Sequence, residues 1–150
     1  MPRSAMAPGS KPQAFLDSNV IFSGLYSPKG APGQILELFV KGDISIVMSP
    51  QVLDEVIGVV REKIPAALPA LRRLLLNSPP EITADPHPED ISRWQQKLSM
   101  GDAAILVAAI AAQPDYFITG DKHFLANSDI GAEAGLQIIT PAQFLKLRKQ

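Results

Sequence analysis

The sequence predicts an α/β protein in three layers, α/β/α, around a central, mainly parallel sheet. Short strand-like runs, Ala14-Phe15-Leu16, Ile44-Ser45-Ile46-Val47-Met48, Tyr116-Phe117-Ile118 and Ile138-Ile139, alternate with segments of helical periodicity. Helix-start signals, Ser49-Pro50 and Thr140-Pro141, directly follow two of these runs. Asp17 and Asp121 follow two others, at the sheet edge where ligands collect in open α/β folds. A chain of 150 residues suits one domain, since compact domains commonly hold about 100–150. The domain is expected over residues 14–147, with a flexible N-terminal tail at 1–13 and a short C-terminal tail at 148–150.

In chain order, a buried strand at 14–17 leads into a turn-rich stretch, Ser23-Gly24-Leu25-Tyr26-Ser27-Pro28-Lys29-Gly30. A helix is expected from about Pro32 to Lys41, then the strand at Ile44–Met48. After Ser49-Pro50, Leu53, Val56, Ile57 and Val60 share one helical face, with Glu55 beside it in the second turn. Pro65 and Pro69 punctuate the next region, and Leu71, Leu74 and Leu75 support a short helix ending before Asn77-Ser78-Pro79-Pro80. The leucines of 68–76 read as intramolecular core or as a dimer face. A brief strand fits 81–83, a turn Asp85-Pro86-His87-Pro88, and a helix that aligns Ile91, Trp94 and Leu98, with Trp94 read as core. From Ser99 to about Gln113 runs a strongly apolar helix whose alanines permit close packing. The strands at Tyr116–Ile118 and Ile138-Ile139 and a terminal helix complete the alternation.

With 14 Lys+Arg against 15 Asp+Glu, the chain has no bulk charge to attract a polyanion; any such surface must come from local clustering or bound metal. The absence of cysteine excludes disulfides, thiolate zinc sites and thiol catalysis and is compatible with a reducing cytoplasm, the expected location. His87 and His123 do not suggest a histidine-rich metal cage, and His123 is left outside the expected site. The longest apolar run, Ala103 to Ala112, falls short of the roughly 18 residues of a membrane span, so no membrane partner is expected.

Asp17, Glu55, Asp102 and Asp121 are the candidate functional acids. Each has an ordinary reading. Asp17 and Asp121 suit helix caps or turns, Glu55 a solvated helix face, and Asp102 the third position after a capping Ser99. Independent caps need not share one side of a sheet, whereas metal ligands must. Like charges gathered in one cleft are destabilising unless a cation or protons compensate them, and a hard divalent ion is the simplest compensation.

Four fragments in order, Phe15-Leu16-Asp17-Ser18-Asn19-Val20, Ser49-Pro50-Gln51-Val52-Leu53-Asp54-Glu55-Val56, Gly101-Asp102-Ala103-Ala104-Ile105-Leu106 and Tyr116-Phe117-Ile118-Thr119-Gly120-Asp121-Lys122, resemble the PIN-domain nucleases. The likeness is to the compact prokaryotic type that includes VapC-like toxins, and with the closing Ile138-Ile139-Thr140-Pro141-Ala142-Gln143-Phe144-Leu145 it covers about residues 14–147. The match departs between Pro65 and Ser99. The resemblance implies a PIN-like fold and an endoribonuclease dependent on Mg²⁺ or Mn²⁺, with Asp17, Glu55, Asp102 and Asp121 as catalytic metal ligands. It implies products ending in a 5′-phosphate and a 3′-hydroxyl. Asn19 and Thr119 match accompanying polar positions, which otherwise read as turn residues. The resemblance also implies RNA, expected single-stranded, as substrate, an antitoxin protein as partner, and a homodimer.

Lys29 and Lys122 are candidates for contact with the nucleic-acid backbone or are solvated charges. Tyr26 reads as a base-stacking platform or as a packed or surface tyrosine. Two rival readings stand beside the nuclease. An apolar strand followed by Asp17 resembles the nucleophile position of haloacid-dehalogenase-like phosphatases, but that chemistry expects an acid two residues on, where Asn19 stands. The other rival is a non-catalytic module that binds RNA or protein on the same fold.

Overall fold

The computed structural model describes residues 11–149, and the side chain of Ser128 is outside that description. Of the expected N-terminal tail, residues 1–10 lie outside the described residues; strand β1 begins at Gln13. Five strands form one parallel sheet in the order β3-β2-β1-β4-β5, with β1 at Gln13–Leu16, β2 at Ser45–Met48, β3 at Glu81–Ile82, β4 at Tyr116–Ile118 and β5 at Ile138–Ile139. Among the described residues nine α-helices flank it: α1 Ser18–Tyr26, α2 Ala31–Val40, α3 Pro50–Lys63, α4 Leu68–Asn77, α5 Pro88–Trp94, α6 Met100–Ala112, α7 Lys122–Leu125, α8 Ser128–Ala134 and α9 Pro141–Arg148. This is the PIN-like α/β/α arrangement.

The chain builds outward from β1 in one direction through β2 and β3, then returns to the other side of β1 for β4 and β5. The junction of β1 and β4 is therefore the topological switch point, where an open parallel sheet leaves a crevice at its carboxyl edge. The register pairs Leu16 with Ile118, so the residues just beyond, Asp17 and Thr119, emerge side by side. The Asp17 amide also donates to the Ile118 carbonyl at 3.1 Å, extending the ladder to the acid itself.

Both strands are apolar on each face because helices cover both faces. Phe15 and Phe117 meet edge-to-face at 5.3 Å, and Phe124 and Phe144 are buried against the same sheet. In α6, every residue from Ala103 to Ala109 is buried, which explains a helix apolar on all sides. Trp94 packs half-buried on the core, and Leu71, Leu74 and Leu75 also face inward, while Leu76 is exposed. No helix among the described residues is long and apolar enough to cross a membrane.

Three local readings are corrected. The stretch 23–30 is not all turn, because α1 continues to Tyr26 and the turn is confined to 27–30. Gly24 serves close packing inside that helix: a Cβ there would meet Leu36 Cδ1 at 2.6 Å. Pro69 lies in the first turn of α4, where a missing N–H is harmless, rather than breaking the chain before it. The short α8, ended by Gly135 at φ 71°, carries too little apolar periodicity to have been expected.

Candidate metal centre

Asp17 caps α1 from the end of β1. Its Oδ1 accepts from the Ser18 amide at 2.8 Å, and its Oδ2 accepts from Asn19 Nδ2 at 3.1 Å and from the Thr119 hydroxyl at 2.8 Å. The carboxylate is only 3% exposed. Burial raises its pKa above the ordinary 3.8; hydrogen bonds from Thr119 and Ser18 oppose that rise, and the charges of Asp121 and Glu55 reinforce it. The capping role and the gathering of acids thus coincide in one residue.

Asn19 and Thr119 are braces between β1 and β4. Asn19 Oδ1 accepts from the Gly120 amide at 2.9 Å while its Nδ2 holds Asp17. Thr119 donates its hydroxyl to Asp17 and accepts from the Asp121 amide at 3.0 Å. Asn19 is spent on this bracing and offers no acid where a dehalogenase-like phosphatase expects one.

Glu55, in the second turn of α3, is turned toward the same edge. Ser18 Oγ donates to its Oε2 at 2.9 Å and Gln51 Nε2 to its Oε1 at 3.2 Å. Asp102 lies in the first turn of α6. Ser99 caps that helix by accepting from the Asp102 amide at 3.2 Å. The Asp102 side chain does not complete a capping box; its Oδ2 lies 2.9 Å from His123 Nδ1.

Asp121 caps α7, accepting from the His123 amide at 2.9 Å, and its Oδ1 lies 3.4 Å from His123 Nδ1. Asp102, Asp121 and His123 each present a ligand atom within 4.8 Å of one another. Asp17 and Glu55 lie outside that cluster, and Asp121 is joined to Asp17 through Thr119, whose hydroxyl accepts from the Asp121 amide and donates to Asp17. Oxygen-rich donors of this kind suit Mg²⁺ or Mn²⁺, and the unfavourable ionisation of Asp17 is the cost a bound cation would relieve.

Lys122 is exposed on the rim of a cavity of about 530 Å³ that also touches Lys97, Ser99, Asp102, His123 and Asn127. Lys29 is exposed in the α1–α2 turn, where its carbonyl accepts from Gln34 Nε2 at 3.2 Å. Tyr26 is 69% exposed and stacks on Phe22. Sequence reasoning missed His123, Ser18 and Gln51. The i, i+4 spacing of Gln51 and Glu55 was a usable signal, whereas the meeting of His123 with Asp102 spans two helices and left none.

A parallel α/β/α sheet with carboxylates at the β1/β4 switch point defines the class of this molecule. The chain belongs to the PIN domain family, whose model matches residues 13–123. Its fold resembles that of VapBC2 from Rickettsia felis, solved bound to a DNA fragment from their promoter, at 20% identity and TM-score 0.61 over 85% of this chain and 98% of that one. It also resembles PAE2754 from Pyrobaculum aerophilum (16% identity, TM-score 0.58, 94% and 100% covered) and FitAcB from Neisseria gonorrhoeae (18%, 0.55, 85% and 97%). No curated protein matches the chain in sequence.

Proposed function

We propose that the protein is an endoribonuclease dependent on Mg²⁺ or Mn²⁺ and the toxin of a toxin–antitoxin pair. The observation that supports this most is the convergence on Asp121. Its amide donates to the Thr119 hydroxyl that holds Asp17, and its carboxylate shares a ligand-sized cluster with Asp102 and His123. Membership of the PIN domain family and the fold likeness to VapBC2 support the same reading.

Asp102 and Asp121, with His123 beside them, would hold one ion, and Asp17 and Glu55 would contribute to a second once substrate supplies its own oxygens. The bound ion supplies activation of water for in-line attack and neutralisation of charge on the phosphate and leaving oxygen. Thr119 and Asn19 keep Asp17 oriented while its ionised form is needed. Lys122, which lines the same cavity as Asp102, would meet the RNA backbone; Lys97 on that lining is already paired with Glu133 at 2.8 Å. Lys29 belongs to this proposal as a second contact with the backbone. Single-stranded RNA as substrate, the antitoxin and the homodimer rest on the family likeness.

The test is cleavage of single-stranded RNA with Mg²⁺ or Mn²⁺. Asp17→Asn and Asp102→Asn are expected to lower the rate by more than about 100-fold, beyond the usual cost of losing an outer-shell partner, with circular dichroism unchanged. Cleavage that persists in excess chelator, or in both variants, would refute the reading. Metal-free RNA binding without cleavage would favour a non-catalytic module.

A further inference from the structure

Gln51 stands in the first turn of α3, a position where an amide side chain is ordinarily solvated. Here its Nε2 is spent twice, on Glu55 Oε1 at 3.2 Å and on the Gly101 carbonyl at 3.2 Å. The second bond joins α3 to the start of α6, immediately before Asp102. With Ser18 Oγ on the other oxygen at 2.9 Å, both oxygens of Glu55 are held.

We infer that Gln51 is a positioning residue for the metal centre, fixing the Glu55 carboxylate and tying it to the helix end that carries Asp102; the inference rests on the nuclease reading above. The chemistry of the two braces supports it. Amide and hydroxyl are neutral donors, so they orient Glu55 and leave its negative charge available to a cation. A lysine or arginine would orient it equally well but would cancel that charge. Holding a long glutamine in one rotamer costs side-chain entropy, and two hydrogen bonds from one nitrogen offset that cost where a single exposed one would scarcely do so. Groups that orient metal ligands in this way typically carry a 10–100-fold effect on metal affinity or activity.

The experiment compares wild type, Gln51→Ala and Gln51→Met, the first keeping helix propensity and the second the length of the side chain. Mn²⁺ affinity is read by calorimetry, RNA cleavage by kcat and KM, and stability by thermal melting. Both variants are expected to bind Mn²⁺ roughly tenfold more weakly or worse, with kcat lowered, KM for RNA at saturating Mn²⁺ little changed and the melting temperature near wild type. In a Glu55→Ala background the same substitutions are expected to lose most of their effect, because the group they position is gone. Mn²⁺ binding by Gln51→Met within about twofold of wild type would overturn the inference, since outer-shell losses run higher. So would a loss confined to Gln51→Ala, which would assign the effect to packing. A wild type that binds and cleaves while both variants match it removes the brace alone; a wild type that binds no Mn²⁺ and cleaves no RNA removes the nuclease reading and the brace with it.

Discussion

Thr119 and Asp17, 102 positions apart in the chain, meet in a buried hydrogen bond of 2.8 Å. The same Thr119 oxygen accepts from the Asp121 amide at 3.0 Å, so one hydroxyl orients two acids. The pairing of Leu16 with Ile118 brings the two strand ends level and makes this contact a consequence of sheet register.

Thr119→Val keeps the shape and removes both bonds. It should cost about 1–3 kcal/mol of stability, the usual penalty for stranding a buried polar partner, and lower RNA cleavage roughly 10–100-fold. Urea unfolding and Mn²⁺-dependent rates measure the two effects, and Thr119→Ser should restore most of both. A fully active, fully stable Thr119→Val would remove Thr119 from the centre.

Burial and the charges of Asp121 and Glu55 outweigh the hydrogen bonds to Asp17, leaving its folded pKa above 3.8. The folded state therefore binds this proton more tightly than the unfolded chain. Its contribution to stability is fully present below 3.8 and is lost as pH rises through the folded value. In chelator, wild type should lose stability relative to Asp17→Asn over that rise, and Mn²⁺ should restore it near neutrality by binding the folded state. Melting curves that run parallel for the two proteins across pH would contradict this.

His123 is a borderline donor among hard oxygens. His123→Ala should weaken Mn²⁺ binding and leave Mg²⁺ binding nearly unaltered, because Mg²⁺ prefers oxygen and keeps its waters. The side chain is 72% exposed, so the fold should survive. Calorimetric titration with each ion decides; equal affinities in wild type and variant for both ions would leave His123 a bystander.

Two glycines should respond oppositely to alanine. A Cβ on Gly33 would stand 2.0 Å from the Pro28 carbonyl oxygen, a backbone atom, so Gly33→Ala should cost about 1–3 kcal/mol or more. On Gly58, inside α3, a Cβ would meet nothing within 4 Å, so Gly58→Ala should gain about 0.5–1 kcal/mol. Denaturant midpoints of the two variants, compared with wild type, test the contrast.

Much of the architecture was legible because its signals are local. Ser49 and Thr140 cap the helices they announce, and Thr140 does so with a full capping box through Gln143. The Tyr116–Ile118 strand and the apolar α6 lie where their patterns put them. Misreading occurred where tertiary packing overrides local preference. Gly24 signals a turn, yet it lies in α1 because Leu36 needs the space a side chain would fill.

The alternation of strands and helices, the burial of β1, β2 and β4, and the placement of Asp17 and Asp121 at strand ends follow from the order of residues alone, since each depends on neighbours in the chain, whereas β3 is exposed. That Thr119 serves Asp17, that Gln51 reaches Gly101, and that His123 stands between Asp102 and Asp121 emerged from packing in three dimensions. Those contacts depend on the strand order that sets β4 beside β1 and on how the helices then dock, and no local pattern encodes the distance between elements far apart in sequence.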